Sequence, residues 1–511
     1  MTVRPTQSTS LNAARRSADL ARLEECPEID VLVVGGGVTG AGAALDAASR
    51  GLSTVLVERY DLAFGTSRWS SKLVHGGLRY LARGQFGIAY ESARERDLLM
   101  TVTAPHLVRT LPMVIPVHRD TPAAHALLMW AGTGMGDVLR RAAGTRSAVL
   151  PPPRLLTPAQ TRRLLPGVAE DGLRGGLLSF DGQLVDDARL VVALARTAAG
   201  HGAGVITRCS AQSVTADGVL LRDERTGRLV PVRPRAVVNA TGVHAGELDP
   251  DVRLRPSRGS HLVVDSAALG DPRAALTVPV DGGTSRFVFA LPQADGRVYV
   301  GLTDEPVEGE PPHVPTVPED DVDFLLAQVN RALRTRLGRD DVRGSFAGLR
   351  PLLQADGNSA DLSREHAVTV SAHGTVTVVG GKLTTYRAMA EEAVDTAVRE
   401  RRLNAGPCRT RDLPLVGAAD RAELADLAAP RRLVARYGTE APAVLAGAGA
   451  DPALLEPVAC GVTGAELRFG VRHEGALDVD DLLERRTRVA LVDSDRESAR
   501  SAAEAALADA G

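Results

Sequence analysis

The sequence predicts an α/β protein in which a Rossmann-like nucleotide-binding domain is roofed by an antiparallel β-sheet. Three observations carry this. Residues 29–58 read as strand, glycine-rich turn, helix and second strand; residues 236–242 and 375–381 are further apolar runs ending in small-residue turns; and 286–291 and 297–302 are strand-like runs joined by the short turn QADG.

Residues 1–28 are polar, carry Arg15, Arg16 and Arg22, and lack the apolar run of a signal peptide, so they read as an exposed arm or short helix. The run IDVLVV at 29–34 is continuously apolar, as a parallel strand buried on both faces must be. It leads into Gly35-x-Gly37-x-x-Gly40, a helix-compatible stretch and a second run ending at Glu58. Gly35 permits the tight turn, Gly37 lets backbone approach a pyrophosphate at the helix N-terminus, and Gly40 allows helix and strand to pack closely. Glu58 is placed to accept hydrogen bonds from a ribose diol. The motif alone does not separate NAD from FAD.

Residues 66–77 (TSRWSSKLVHGG) bring Thr66, Ser67, Ser71, Lys72, Leu73 and His75 up to the pair Gly76-Gly77, which suits a loop lying along a polar cofactor. Residues 123–139 are apolar but interrupted by His125 and Asp137, too broken to span a bilayer. Leu127, Leu128, Met129 and Trp130 suit either a helix covering a core or one lying in a membrane surface.

Proline-rich 151–158 and the segment 404–418 read as subdomain boundaries. Ala240, Thr241 and Gly242 close one late strand, and Gly381, Lys382, Leu383 and Thr384 follow the other, before a helix whose buried face is Tyr386, Met389, Ala390, Ala393, Val394 and Ala397. These turns share one sheet edge, where doubly wound folds bind ligands. Returning to that edge more than 300 residues after the first turn suits an extended cofactor such as FAD. Residues 256–344 are expected to form the antiparallel roof, and Glu319, Asp320 and Asp321 to begin a helix running to Leu333.

The 60 basic and 63 acidic residues nearly cancel, which argues against nucleic acid as a partner. Four scattered cysteines indicate neither a zinc site nor a disulfide framework and fit a reducing cytoplasm. Only two of the 60 basic residues are lysine, Lys72 and Lys382, each in a glycine-bearing segment. A compact ammonium does there what a planar guanidinium does not.

The run 35–58, the segment 61–81 (DLAFGTSRWSSKLVHGGLRYL), DDARLV, NATG, GSHLVV, GLRPL and GGKLTTYR together resemble FAD-dependent glycerol-3-phosphate dehydrogenase, over residues 29 to about 400. The resemblance implies bound FAD, hydride transfer from C2 of sn-glycerol 3-phosphate to give dihydroxyacetone phosphate, and reoxidation by a membrane quinone. An oxidase passing electrons to oxygen, or a relative acting on glycine or D-amino acids, is the alternative. By position, Arg79, Tyr80, Arg350, Arg364, Lys382 and Thr384 would line the substrate pocket, with His261 near the flavin.

The implied organisation is an arm at 1–28, an oxidoreductase region at 29–403 and a C-terminal helical domain at 404–511. Within the region, FAD-binding parts fall at 29–110, 170–255 and 345–403, and the cap at 111–169 and 256–344. The expected setting is the cytoplasmic face of the membrane, with oligomeric state open between monomer and homodimer.

Two or three cations are needed against a phosphate monoester carrying nearly two charges; Arg350, Arg364 and Lys382 supply them. Oxidising a secondary alcohol also needs a base, for which His261 is the candidate; the bland reading is a buried histidine bonded to a carbonyl. Arg350 would alternatively stabilise a developing alkoxide.

Overall fold

The computed structural model describes residues 8–77, 84–280, 286–353 and 366–509. Its first sheet runs in the order His366–Val370, Thr375–Gly380, Leu229–Asn239, Glu28–Val34, Thr54–Val57, Gly204–Ile206. The last five are mutually parallel. Leu32, Val33 and Val34 stand opposite Val237, Val238 and Asn239 on one side and Val55, Leu56 and Val57 on the other, so the first apolar run is sealed on both edges. The strand ending in the turn 240–242 neighbours the first strand, and the strand ending in the turn 381–384 lies next beyond it, so both late turns fall at the same parallel edge.

Helices Val38–Ser49, Asp187–Gly200 and Tyr386–Arg401 pack together over this sheet. Alanine and glycine make their approach close: a methyl on Gly42 would stand 2.9 Å from the Tyr386 ring. All six residues assigned to the inner face of Tyr386–Arg401 are buried.

The N-terminal segment takes the second of its two expected forms, a short helix rather than an exposed arm. Ala13–Glu25 is a helix capped by Asn12, with Leu20 and Leu23 buried. Arg16 donates to the Thr207 carbonyl and pairs with Asp223, fixing the helix to the sheet's far edge.

The second sheet contains strands Glu305–Pro306, Ser257–Asp265, Arg297–Gly301, Phe287–Pro292, Ala275–Pro279, Val108–His118, Leu173–Leu184 and Leu73–Val74 in that order, with Val342–Arg350 on Ser257–Asp265 and Arg154–Leu156 on Leu173–Leu184. It is wider than the predicted roof. Leu173–Leu184 pairs along its length with Val108–His118, so the division drawn at residue 170 falls within continuous cap structure. Likewise Val342–Arg350 stays in the roof past residue 344. The proline-rich 151–158 segment is no divider: Arg154–Leu156 is an edge strand, where missing N–H donors are tolerated.

Glu319–Asn330 is a helix that begins with the three acidic residues after Pro318 and ends three residues sooner than expected. Residues 404–418 also pack inward: Leu413 and Leu415 join the first core, and Leu415 N–H donates to the Thr103 carbonyl. Beyond them five helices, Arg421–Asp426, Arg431–Tyr437, Ala441–Ala446, Gly464–His473 and Asp493–Ala508, surround two small cores of their own.

Candidate active site

The first wall of the site is the glycine turn after Glu28–Val34. Gly35 has φ +113°, and a methyl there would lie 2.5 Å from the Ala240 carbonyl oxygen; one on Gly40 would fall on the Gly35 carbonyl. Only glycine fits either place. Val38–Ser49 then begins with no acidic side chain in its first turn, leaving the positive end of the helix dipole open to an anion. Ser67 Oγ accepts the Val38 N–H at 2.9 Å, which places the loop beside that helix end.

Glu58 closes this wall. Its carboxylate accepts N–H bonds from Gly36 at 2.6 Å and Tyr60 at 2.8 Å, and burial still raises its pKa above the usual carboxylate range. Ala240 continues the strand by donating to the Val34 carbonyl, Thr241 bonds Asn239, and Gly242 (φ +63°) turns the chain away.

The two lysine-bearing segments meet. His75 N–H donates to Thr384 Oγ1 at 3.2 Å, tying the loop at 66–77 to the turn at 381–384. Gly381 (φ +71°) makes that turn above Met389, Leu383 packs against the first core, and Lys382 reaches Ser92 at 3.2 Å. Beneath the loop, Asp181 accepts from Gly76 N–H at 3.2 Å and from Arg96 at 2.5 Å, while His75 stands 3.6 Å from the same carboxylate. Gly76 passes over the Arg96 guanidinium with no room for a methyl, and Gly77 (φ +79°) follows.

The roof supplies His261 and Arg350. Ser257 pairs with Arg350, Gly259 with Gly348 and His261 with Phe346, so alternation puts all six on one sheet face. Arg350 lies across Gly259, where a methyl would strike its guanidinium, and bonds Asp304 at 3.0 Å and Ser257 at 3.3 Å. His261 is buried, stacks on Phe346 with ring centroids 4.7 Å apart, and places Nε2 2.8 Å from Ser71 Oγ. Burial, then the charges of Lys72 and Arg350, push its pKa down to about 3, so the ring is neutral. Thr66 Oγ1 donates to the Leu349 carbonyl, a second contact between loop and roof.

Lys72 and Leu73 stand elsewhere than along the loop's polar edge. Leu73 is in the roof sheet, buried with Tyr299 and Phe346. Lys72 is 1% exposed, with Nζ 5.0 Å from the centroids of both those rings and 3.4 Å from Asp187. Burial lowers its pKa to about 8, with Asp187 opposing the shift. Their side chains are thus committed to packing behind the loop. Asp187 also accepts from Ser70 N–H and Oγ, a role that the motif DDARLV does not reveal by itself. Arg79, Tyr80 and Arg364 lie outside the described residues. Among the described residues no group of His, Cys, Asp and Glu suits a metal ion.

A glycine cradle at a helix N-terminus, an acid at the end of the second strand, and a roof presenting histidine and arginine define a dinucleotide-dependent oxidoreductase. Residues 30–395 match the family described as FAD dependent oxidoreductase, and residues 408–509 match the C-terminal domain of alpha-glycerophosphate oxidase. Glycerol-3-phosphate dehydrogenase 1 of Mycobacterium tuberculosis is 53% identical over 500 residues, covering 96% of this chain and 97% of the relative. The mitochondrial glycerol-3-phosphate dehydrogenase of Mesocricetus auratus is 34% identical, over 95% of this chain and 71% of its own. The crystal structure of the Bacillus halodurans glycerol-3-phosphate dehydrogenase complexed with FAD aligns with a TM-score of 0.74 at 27% identity, over 98% and 93% of the two chains. The chain belongs to the glycerol-3-phosphate dehydrogenases of the FAD-dependent oxidoreductase family. FAD is accordingly the cofactor, and the cradle fits it.

Proposed function

We propose that the chain oxidises sn-glycerol 3-phosphate to dihydroxyacetone phosphate, with FAD reoxidised by a membrane quinone. The observation that carries this reading is the placement of His261 and Arg350 on one face of the roof, joined by Ser71 and Thr66 to a loop that Thr384 ties to the Lys382 turn. Bound FAD supplies the hydride acceptor. Gly35, Gly37, Gly40, Glu58, Thr66, Ser67, His75, Gly76, Gly77 and the turns 240–242 and 381–384 hold it. Ser71 fixes the His261 ring, and the neutral imidazole accepts the hydroxyl proton. Arg350 and Lys382, with Arg79, Tyr80, Arg364 and Thr384, hold the phosphate; the cations also stabilise an alkoxide as it develops.

One finding supports work at a membrane surface. No helix among the described residues is long and apolar enough to cross a membrane. Helix Ala123–Ala142, however, exposes Leu127 (67%), Leu128 (56%), Met135 (47%) and Val138 (59%), within about 100° of one another at 3.6 residues per turn. Met129 on the opposite side is buried and Trp130 is half-buried. Exposed Phe86 and Tyr90 come from Phe86–Leu98, which packs on this helix. A contiguous apolar face of this kind marks an interaction surface. We assign it to the inner face of the cell membrane, where quinone is reached.

The test is anaerobic addition of glycerol 3-phosphate to the yellow holoenzyme. Bleaching is expected, and its absence sinks the reading. Peroxide yield in air against reduction of a soluble quinone decides the acceptor. A homodimer is left to light scattering.

A further inference from the structure

The C-terminal domain meets the rest of the chain through buried charge, and the densest cluster grips the loop that begins at Asp61. Asp61 is fully buried. Arg486 holds it through two parallel bonds, Nη1 to Oδ2 and Nη2 to Oδ1, both 2.8 Å, and Arg485 Nε adds a third at 2.7 Å. Burial alone would raise the Asp61 pKa, but these two guanidiniums hold it well below the carboxylate range.

Seven residues on, Arg68 pairs with Glu484, donates to the Phe64 carbonyl at 2.8 Å, and stacks on Trp69. Glu484 also takes Arg485 Nη1 at 2.7 Å, and Arg485 Nη2 reaches Asp481 at 2.6 Å. The gripping residues come from one wide π-helical turn, Asp481–Arg486. Arg488 follows, its guanidinium 5.0 Å from the Trp69 ring centroid.

Three considerations make this more than cohesion. Desolvating so many charges is costly, and apolar side chains of equal volume would hold two domains together as well. Ala63 (φ +61°) and Lys72 (φ +58°) are both left-handed, a conformation non-glycine residues keep only where their surroundings over-determine it. Between those two bends lie Thr66, Ser67 and Ser71, which reach the roof, the helix N-terminus and His261.

We infer that the turn 481–488 of the C-terminal domain is a positioning device for the cofactor loop, with Arg485 and Arg486 its positioning residues: by gripping Asp61 and Arg68 it sets Ser67 at the nucleotide-binding helix and Ser71 against His261. This rests on FAD binding along that loop. The turn touches neither substrate nor cofactor in this assignment.

The experiment compares holoenzymes. Asp61→Asn/Arg486→Met removes the bidentate pair without leaving a lone buried charge. Flavin release on dilution is followed by flavin fluorescence, and the environment of the bound ring by visible circular dichroism. Release at least tenfold faster and an altered dichroic band are expected. Arg468→Ala, which breaks an ion pair with Asp509 inside the C-terminal domain, serves as the control and should leave both unchanged. Release within twofold of wild type in the folded double variant overturns the inference, as does equal acceleration by the control. Should the double variant fail to fold, Glu484→Gln carries the same expectation, because that carboxylate is partly exposed. Wild-type protein that retains no FAD removes the cofactor reading itself.

Discussion

Ser71 Oγ lies 2.8 Å from His261 Nε2, so a residue of the cofactor loop fixes the ring of the one histidine placed on the inner roof beside Arg350. Replacing His261 by Gln should lower the rate of flavin bleaching by about 10²–10⁴-fold, the usual contribution of a positioned base, with FAD still bound. Ser71→Ala should cost less, since the base remains and only its aim is loosened. Stopped-flow reduction measures both.

The same histidine gives a pH dependence of stability. Its pKa is about 3 folded against 6.5 unfolded, so between those values the unfolded chain binds the extra proton and stability falls as pH falls. The contribution is complete above pH 6.5 and, for a shift this large, is about 5 kcal/mol at most. Thermal midpoints from pH 7 to 4 should drop steeply in wild type and less steeply in His261→Gln.

Lys72 changes meaning once its surroundings are known. The ammonium lies against Tyr299 and Phe346 and within 3.4 Å of Asp187, itself fully buried. Lys72→Met would strand Asp187, at about 3–5 kcal/mol. Urea unfolding of the apoprotein should show that loss before any difference in FAD affinity is considered, and Lys72→Met/Asp187→Asn should recover most of it.

Gly259 leaves the room that the Arg350 guanidinium fills. A methyl there would strike the Arg350 guanidinium, so Gly259→Ala should displace that cation while sparing the distant nucleotide cradle. The expected result is a KM for glycerol 3-phosphate raised about tenfold or more, corresponding to roughly 1.4 kcal/mol, at unchanged flavin content.

For the exposed helix, Leu127→Ser/Leu128→Ser/Val138→Ser should abolish cosedimentation with vesicles containing anionic lipid without lowering the thermal midpoint, because none of the three is buried. Unchanged cosedimentation would reassign the face to a protein partner.

The nucleotide half of the site was legible because its pattern is local: Gly35 to Glu58 fixes turn, helix and the acid ending the second strand within one βαβ unit. The late turns at 240–242 and 381–384 were legible for a related reason, since a small-residue turn after an apolar run looks the same wherever it lies. The roof was read too narrowly. Glycines at 175, 176 and 182 obscure Leu173–Leu184 as a strand, and only its partner Val108–His118 gives it a register. Lys72 was misread because its neighbours in sequence are polar loop residues, while those in space are Tyr299, Phe346 and Asp187. The anchoring of the N-terminal helix was not legible, because Asp223, which holds Arg16, is about two hundred residues away.

Asp61 and its partners Arg485 and Arg486 are 424 and 425 residues apart along the chain. At about 5–20 residues per second, ribosomal synthesis leaves the loop without its grip for roughly 20–85 s after Asp61 is made. During that interval the glycine turn and its helix can already exist, and Ser67 and Ser71 gain Val38 and His261 as partners, but buried Asp61 and Arg68 still lack theirs. A chain cut short before residue 485 should therefore fold its first strands and release flavin faster on dilution than the full chain does.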